Sequence, residues 1–280
     1  MKLLAKHLQW WRSLLIALRI LGVFMIIEEK FSASPSILFF VLLFAAQLAF
    51  SGELTTKKIP GSVFGEIEYV QGKYGKAALL KGKFVEGKTQ IGIEYPCNSD
   101  TFAPREGTFA CWVKASNYGC VCLFRTENDK YQLNIWHNKR KNREGVEEFY
   151  YFPYACVGEG RYMPMSEMWP DFWYHVVMTW DLKDPNKRGI LRTYVNGRAT
   201  SPRPLLLSAT LNLETGKTIS IGRFPCLLDE VLILDKALSE EEVNILFFGG
   251  SFSPDKNTKL YISFDDASCY GISVTAKPEK

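Results

Sequence analysis

Two places in the sequence set carboxylates side by side on strand-like or hairpin segments. Paired carboxylates are the groups that hydrolyse glycosidic bonds. Glu127-Asn128-Asp129 offers two acids two residues apart, and Asp229-Glu230 offers two in succession. A retaining glycosidase needs its carboxyls about 5–5.5 Å apart, a separation that strand neighbours i and i+2 or i and i+4 supply. Glu127 and Asp129 fall on a predicted hairpin tip, however, and consecutive strand residues point to opposite faces. Neither pair predicts catalysis, and no catalytic residue is assigned. His137 and His175 are the histidines past residue 7, and no G-x-S-x-G elbow accompanies them. His175 sits in the strand-like run Trp173–Trp180, where a hydrogen-bonded structural histidine is expected. No glycine-rich loop follows a strand and opens a helix, so a nucleotide site has no support.

Binding chemistry is better represented. Residues Phe149–Trp173 hold nine aromatics among 25 residues, interrupted by Pro153, Pro164, Pro170, Gly158 and Gly160. The interruptions predict loop. Aromatic rings on loops at one end of a β structure form an apolar platform suited to a sugar face or a protein partner. The same rings would equally close the open end of a core. Tyr151, Tyr154, Tyr162 and Trp169 are the candidate ligand-binding residues. The basic run Lys139-Arg140-Lys141 with Arg143 is followed by Glu144, Glu147 and Glu148, which predicts a solvated loop instead of a nucleic-acid patch. Seven cysteines, at 97, 111, 120, 122, 156, 226 and 269, leave at least one thiol free, and zero to two disulfides are expected.

The elements that must carry these residues are strands. Gly107–Lys114 alternates Phe109, Cys111 and Val113 against Ala110, Trp112 and Lys114, a period of two. Similar runs follow at Tyr118–Arg125, Tyr131–Trp136, Glu148–Tyr154, Leu191–Val195, Thr218–Gly222 and Leu228–Leu234. Asn196-Gly197 is a strong hairpin signal, since both residues tolerate positive φ. One helix is predicted after Leu238: Ser239 and Glu242 have the spacing of a capping box, Leu238 and Val243 that of a hydrophobic staple, and Gly249-Gly250 stops it. Many short strands with one short helix define an all-β sandwich or barrel.

Residues 1–51 differ from the rest. Leu14–Ile27 and Ile37–Phe50 are dense apolar runs of about 14 residues, short of the roughly 20 that a membrane helix needs. Ala49-Phe50-Ser51 before Gly52 has the small-residue pattern of an export cleavage site. Residues 1–51 therefore predict an N-terminal hydrophobic helical export signal or a membrane anchor, and 52–280 the folded domain. The five basic residues Lys2, Lys6, Arg12, Arg19 and Lys30 against Glu28 and Glu29 give this segment +3, so of the chain's +4 only +1 is left for the rest. A nearly neutral domain has no electrostatic means of capturing nucleic acid, and no nucleic-acid partner is expected.

As a set, four strings resemble the laminin-G-like branch of the concanavalin A-like lectin/glucanase superfamily over about residues 61–248. They are the glycine motif from Gly72 to Leu79, GTFACWVKAS from Gly107, WYHVVMTWDLKDPNKRGILRTYVNGR from Trp173, and ISIGRFPCLLDEVLILDKALSEEEV from Ile219. The resemblance implies a two-sheet antiparallel jelly-roll sandwich and a role in recognising carbohydrate or protein ligands outside the cytoplasm. It also brings glycoside hydrolases as an alternative, although Glu127 to Gln132 resembles their E-x-D-x-x-E signature with Gln in the last place. A purely structural or adhesive surface protein is a third reading. Within the family the aspartate at position 229 is either a structural acceptor or a calcium ligand. Calcium takes six to eight oxygens, so Asp229 and backbone carbonyls would need help from further residues, with Asp265 and Asp266 as the candidates. An opening strand that the family places before the glycine motif is missing there, and a matching string, Leu260–Asp266, stands near the other end. It either fills the opening strand's place or begins a second module.

Overall fold

The structure is a computed structural model. It describes residues 54–276 apart from 83, 86, 87, 90, 117–120, 165, 209, 210 and 212, with the side chains of 84, 85, 88, 89, 121 and 276 also left aside. The apolar runs, the cleavage pattern and Cys120 lie outside the described residues.

The first strands are β1 (Leu54–Ile59), β2 (Ser62–Phe64), β3 (Glu66–Gln71), β4 (Lys76–Lys81), β5 (Phe84–Val85), β6 (Lys88–Thr89) and β7 (Gly92–Pro96). Next come β8 (Glu106–Lys114), β9 (Val121–Thr126), β10 (Tyr131–Lys141), β11 (Glu147–Val157), β12 (Gly160–Tyr162), β13 (Tyr174–Asp181) and β14 (Gly189–Val195). The chain continues through β15 (Arg198–Ala199), β16 (Leu205–Leu207), β17 (Thr218–Ile221), β18 (Leu227–Leu234), helix α1 (Glu240–Phe248), β19 (Thr258–Ile262) and β20 (Gly271–Ala276). One sheet runs β1-β20-β19-β18-β8-β13-β14-β15, with β16 beside β14 and the β3–β4 hairpin joined through β4 to β18. The other runs β12-β11-β10-β9-β17-β7-β2, and β5 pairs with β6 apart from both. Every pairing is antiparallel.

The period-two pattern decides what goes inside. Phe109, Cys111 and Val113 of β8 join Val176, Met178 and Trp180 of β13 and Leu133 and Ile135 of β10 in the core between the sheets. Ala110, Val177, Leu232 and Tyr261 point the other way, into a second apolar layer under α1 with Val243 of the helix. The capping box forms as its spacing implies: Glu242 N–H donates to Ser239 Oγ (3.2 Å) and Ser239 N–H to Glu242 Oε2 (2.9 Å). Asn196 and Gly197 both take positive φ in the β14–β15 hairpin. The string after Lys259 completes this sheet: β19 pairs with β18 in the register Val231 to Ile262 and Ile233 to Leu260, and Leu260, Ile262 and Phe264 enter the core. None of the six cysteines among the described residues is in a disulfide.

Two segments differ from the sequence expectation. The basic run is not a loop: Lys139, Arg140 and Lys141 end β10, in register with Phe149, Glu148 and Glu147 of β11. Cross-strand pairs Arg140–Glu148 (3.4 Å) and Lys139–Glu147 (3.2 Å) extend the ribbon past the hydrophobic alternation that marks its start. The strand expected at Glu148–Tyr154 forms and runs on to Val157, so the loop expected from Phe149 onward begins only after it, Pro153 notwithstanding. Tyr151 exchanges both backbone hydrogen bonds with Met168, so its strand neighbour Pro153 also turns its nitrogen away from β10. The missing N–H therefore costs the β10–β11 ladder nothing.

The turn between β3 and β4 ties three distant motifs together. Gly72 N–H donates to Gly75 C=O (3.0 Å), Tyr74 N–H to Asp229 Oδ2 (2.9 Å) and Lys76 N–H to Asp265 Oδ1 (2.9 Å). A Cβ on Gly75, which has φ +52°, would lie 1.9 Å from Asp265 Oδ1. Gly145 has φ +81°, and a Cβ added there would meet nothing within 4 Å. Gly145→Ala should therefore cost only the backbone term of about 1–2 kcal/mol, and Gly75→Ala measurably more, as read by urea unfolding of both variants.

Candidate functional site

Because Tyr131, Leu133 and Ile135 are committed to the core, Gln132, Asn134 and Trp136 must lie on the outer face of the seven-stranded sheet. Strand register extends that face into a transverse row. Ser62, Glu94, Ser220, Arg125, Gln132, Cys156 and Arg161 stand directly opposite one another, one from each strand from β2 to β12. The row is cross-linked and held in place. Ser220 Oγ donates to Glu94 Oε1 (3.2 Å), Arg125 Nη2 pairs with Asp129 Oδ1 (2.5 Å), and Gln132 Nε2 donates to the Asp129 carbonyl (3.0 Å). Asn134 Nδ2 donates in turn to Gln132 Oε1 (3.2 Å). Arg125 Nε is buried without a protein partner among the described residues.

Aromatic rings flank the polar row on the same face. Asn134 stands opposite Tyr154 and Trp136 opposite Phe152, and the rings of Trp136 and Tyr154 are 5.2 Å apart. Tyr154 is buried, whereas Trp136 is 43% exposed. Farther along the ribbon the Arg140 guanidinium lies 5.6 Å from the Tyr150 ring and 5.3 Å from the Trp169 ring, fixed by Glu148 and by Glu167 (2.6 Å).

The four candidate aromatics thus divide. Tyr154 and Trp169 belong to the outer face. Tyr151 is a core residue, and Tyr162 packs against the core with its hydroxyl donating to the Arg203 carbonyl (2.9 Å). The loop expectation for Phe149–Trp173 treated neighbouring rings as one platform, but a strand sends successive rings to opposite sides. Gln132, Asn134, Trp136, Arg125, Glu94 and Ser220 were not singled out as a face. The alternation within Tyr131–Trp136 carried the signal for three of them, and the row itself needs the register.

The acids thought of as a cation set all accept hydrogen bonds, Asp229 and Asp265 at the same turn between β3 and β4. Asp229 accepts from Tyr74 and, through Oδ1, from Glu230 N–H (2.9 Å); Asp265 accepts from Lys76; Asp266 Oδ1 accepts from Ser268 N–H (3.1 Å) and Oγ–H (2.7 Å). Among the described residues no group of three or more His, Cys, Asp or Glu is placed to hold a metal ion. Calcium takes six to eight oxygens, backbone carbonyls included, of which Asp229 and Asp265 at this turn would supply only a part. Glu127 Oε2 accepts from Lys217 N–H (2.6 Å) at the hairpin tip, a structural bond as well. His175 does not gain the expected hydrogen bond at Nδ1, which is buried without a partner among the described residues. Packing beside Trp112 (5.3 Å) and Phe247 (6.1 Å) and the resulting desolvation lower its pKa to about 4 and keep it neutral.

Asp229 and Glu230 also depart from the strand rule. A bulge between Asp229 and Leu232, with Glu230 at φ +49°, buries both carboxyls: Glu230 Oε2 accepts from Phe252 N–H (2.8 Å) and Tyr261 O–H (2.7 Å). Burial raises the pKa of both, that of Asp229 to about 7, with the hydrogen bonds it accepts opposing the rise. A folded-state pKa raised above the unfolded value of about 4 gives stability that is full at low pH and lost as pH rises to about 7. Urea midpoints of the wild type should therefore fall from pH 4 to pH 7, and those of Asp229→Asn should fall less steeply.

Two packed antiparallel sheets with such a polar and aromatic outer face define a β-sandwich of lectin type. Residues 88–244, more than half of the chain, match a laminin-G-like family model described as concanavalin A-like lectin/glucanases superfamily, and the chain belongs to that family. No protein of curated function matches it significantly. Among solved structures, a native heptameric SAP-like pentraxin from Limulus polyphemus is 16% identical, with 62% of this chain and 83% of that one covered and a TM-score of 0.41. Domain 4 of AbnA, a GH43 extracellular arabinanase from Geobacillus stearothermophilus, solved with arabinotriose, is 19% identical, with 67% and 87% covered and a TM-score of 0.45. The Trypanosoma rangeli sialidase is 14% identical, with 68% of this chain covered and a TM-score of 0.45, and the chain spans only 29% of its length. At these scores none of the three bears on ligand or activity.

Proposed function

We propose that the protein is a non-catalytic carbohydrate-recognition module that binds its ligand on the outer face of the seven-stranded sheet. One observation carries this reading: Gln132 stands in register with Arg125 across β9 and β10, and farther along β10 on the same face come the largely buried Asn134 amide and the exposed ring of Trp136. A sugar presents both surfaces that this arrangement meets, an apolar face of C–H groups for the ring and hydroxyls for the amides and the guanidinium. Membership of a superfamily of lectins and glucanases supports the ligand class. Binding is favoured over hydrolysis because the E-x-D-x-x-E-like run from Glu127 ends in Gln132 and its Glu127 is tied to the Lys217 N–H at a hairpin tip. Placement outside the cytoplasm rests on the export-like pattern ending at Ser51. N-terminal sequencing of the mature protein should read from Gly52; a mature chain that keeps residues 1–51 would replace the export signal with an anchor.

A glycan array probed with the protein, with and without chelator, should show binding without release of reducing sugar. Trp136→Ala should weaken the best ligand about tenfold, roughly 1.4 kcal/mol, with little change in stability because the ring is substantially exposed. Unchanged affinity would remove this face from the reading, and sugar release abolished by Glu94→Gln would make the protein a hydrolase.

A further inference from the structure

The outward-facing column of β10 runs well past the transverse row that crosses it. β9 pairs with β10 only from Gln132 to Ile135, whereas β10 and β11 stay in register from Tyr131 and Val157 to Lys141 and Glu147. Beyond Ile135 the two strands continue as a ribbon. Every second residue of β10 carries the outer face along it: Gln132, Asn134, Trp136, Asn138 and Arg140. At about 3.4 Å per strand residue, the column from Gln132 to Arg140 is about 27 Å long. A single sugar ring covers only a fraction of that length.

Each side chain of the column ends in a planar group, and its outer half is both exposed and held in place. Trp136, Asn138 and Arg140 are exposed, while Tyr150, Phe152 and Tyr154 on the same face of β11 are buried. Trp136 packs on Tyr154, and Asn138 Nδ2 donates to Tyr150 Oη (3.1 Å) while its Oδ1 accepts from the Lys139 N–H (2.8 Å). Arg140 lies over the Tyr150 and Trp169 rings, with Nε toward Glu148 and Nη1 toward Glu167. A guanidinium has five N–H donors, so this one keeps donors for a hydroxyl. Trp136 and Arg140 stand about 14 Å apart along the strand, too far for one ring to meet both. Successive units of one chain can meet both, with the Asn138 amide between them. We infer that this face binds an extended linear oligosaccharide along β10, its interior units spread from Gln132 to Arg140, and not a single terminal sugar. The inference rests on the carbohydrate reading and adds to it the class of ligand and two binding residues, Asn138 and Arg140. Linked units bind as one ligand, so each further unit that reaches the column raises affinity.

The test uses the full chain, calorimetry, and linear oligosaccharides of glucose, xylose, mannose and arabinose, each series running from about one to six units. In the series that binds, affinity should rise about tenfold or more from the shortest chains to those that fill the column, and then level off. Methylation of the reducing end should leave the affinity of a column-filling chain unchanged, because interior units make the contacts. Asn138→Ala and Arg140→Gln should each weaken a column-filling chain about fivefold to tenfold and leave a disaccharide unaffected, whereas Trp136→Ala weakens both. Exposed ion pairs add little stability, so both variants should keep the wild-type urea midpoint, and a loss of fold would lower binding of short and long chains alike. Equal affinity for one unit and for a column-filling chain, or losses in the two variants that do not depend on chain length, would overturn this inference and leave the binding face standing. Binding of other arrayed glycans with none of the four series bound would do the same. A protein that binds no glycan at all would remove the carbohydrate reading as well.

Discussion

Strand alternation is the constraint on which the rest depends. Once Tyr131, Leu133 and Ile135 enter the core, β10 has no freedom left in what it shows outside. Gln132, Asn134 and Trp136 follow. A one-residue slip against β9 or β11 would bury two amides and an indole and expose three core residues, a change of several kcal/mol by the roughly 1.5–3 kcal/mol attached to burying each large apolar side chain. The core thus fixes the polar row from β2 to β12 as firmly as it fixes itself. A face built this way is preorganised, because its residues are positioned by the sheet and not by loops.

The larger sheet depends on a different device. Its outer face is covered by α1 over Ala110, Val177, Leu232 and Tyr261, and its bulge at Asp229 and Glu230 supplies two buried carboxylates. Asp229 closes the Gly72–Gly75 turn and Glu230 anchors Phe252 and Tyr261. Asp265, from the segment after β19, meets the same turn at Lys76. Motifs near residues 72, 229 and 265 are thus parts of one hydrogen-bonded junction. The carboxylates satisfy backbone N–H groups that the turn would otherwise leave without acceptors, at the cost of their own desolvation. A stability that declines toward neutral pH is the expected consequence.

The sequence showed most of the sandwich. Phe109, Cys111 and Val113 carry a period that only a strand satisfies, and Ser239 with Glu242 marked the helix start. It showed the site less well for two physical reasons. Pro153 reads as a strand breaker, yet its nitrogen faces the β12 side, and only the Tyr151–Met168 hydrogen bonds reveal that direction. Arg140 and Lys141 read as solvated loop because cross-strand pairing with Glu148 and Glu147 depends on a partner's register. Tyr151 and Tyr154 looked equivalent in composition and turned out to face opposite sides. Asp229 was assigned to two readings, acceptor or calcium ligand, and its bonds to Tyr74 and Glu230 are those of an acceptor.

The most direct test of the binding face is a nuclear magnetic resonance titration of the protein with the best oligosaccharide from the array, following side-chain N–H signals. The expected result is that the Trp136 indole, the Asn134 and Gln132 amides and the Arg125 Nε–H shift together and saturably. Saturable shifts confined to the Trp169 and Phe172 region or to the backbone of α1, with those four unmoved, would contradict it.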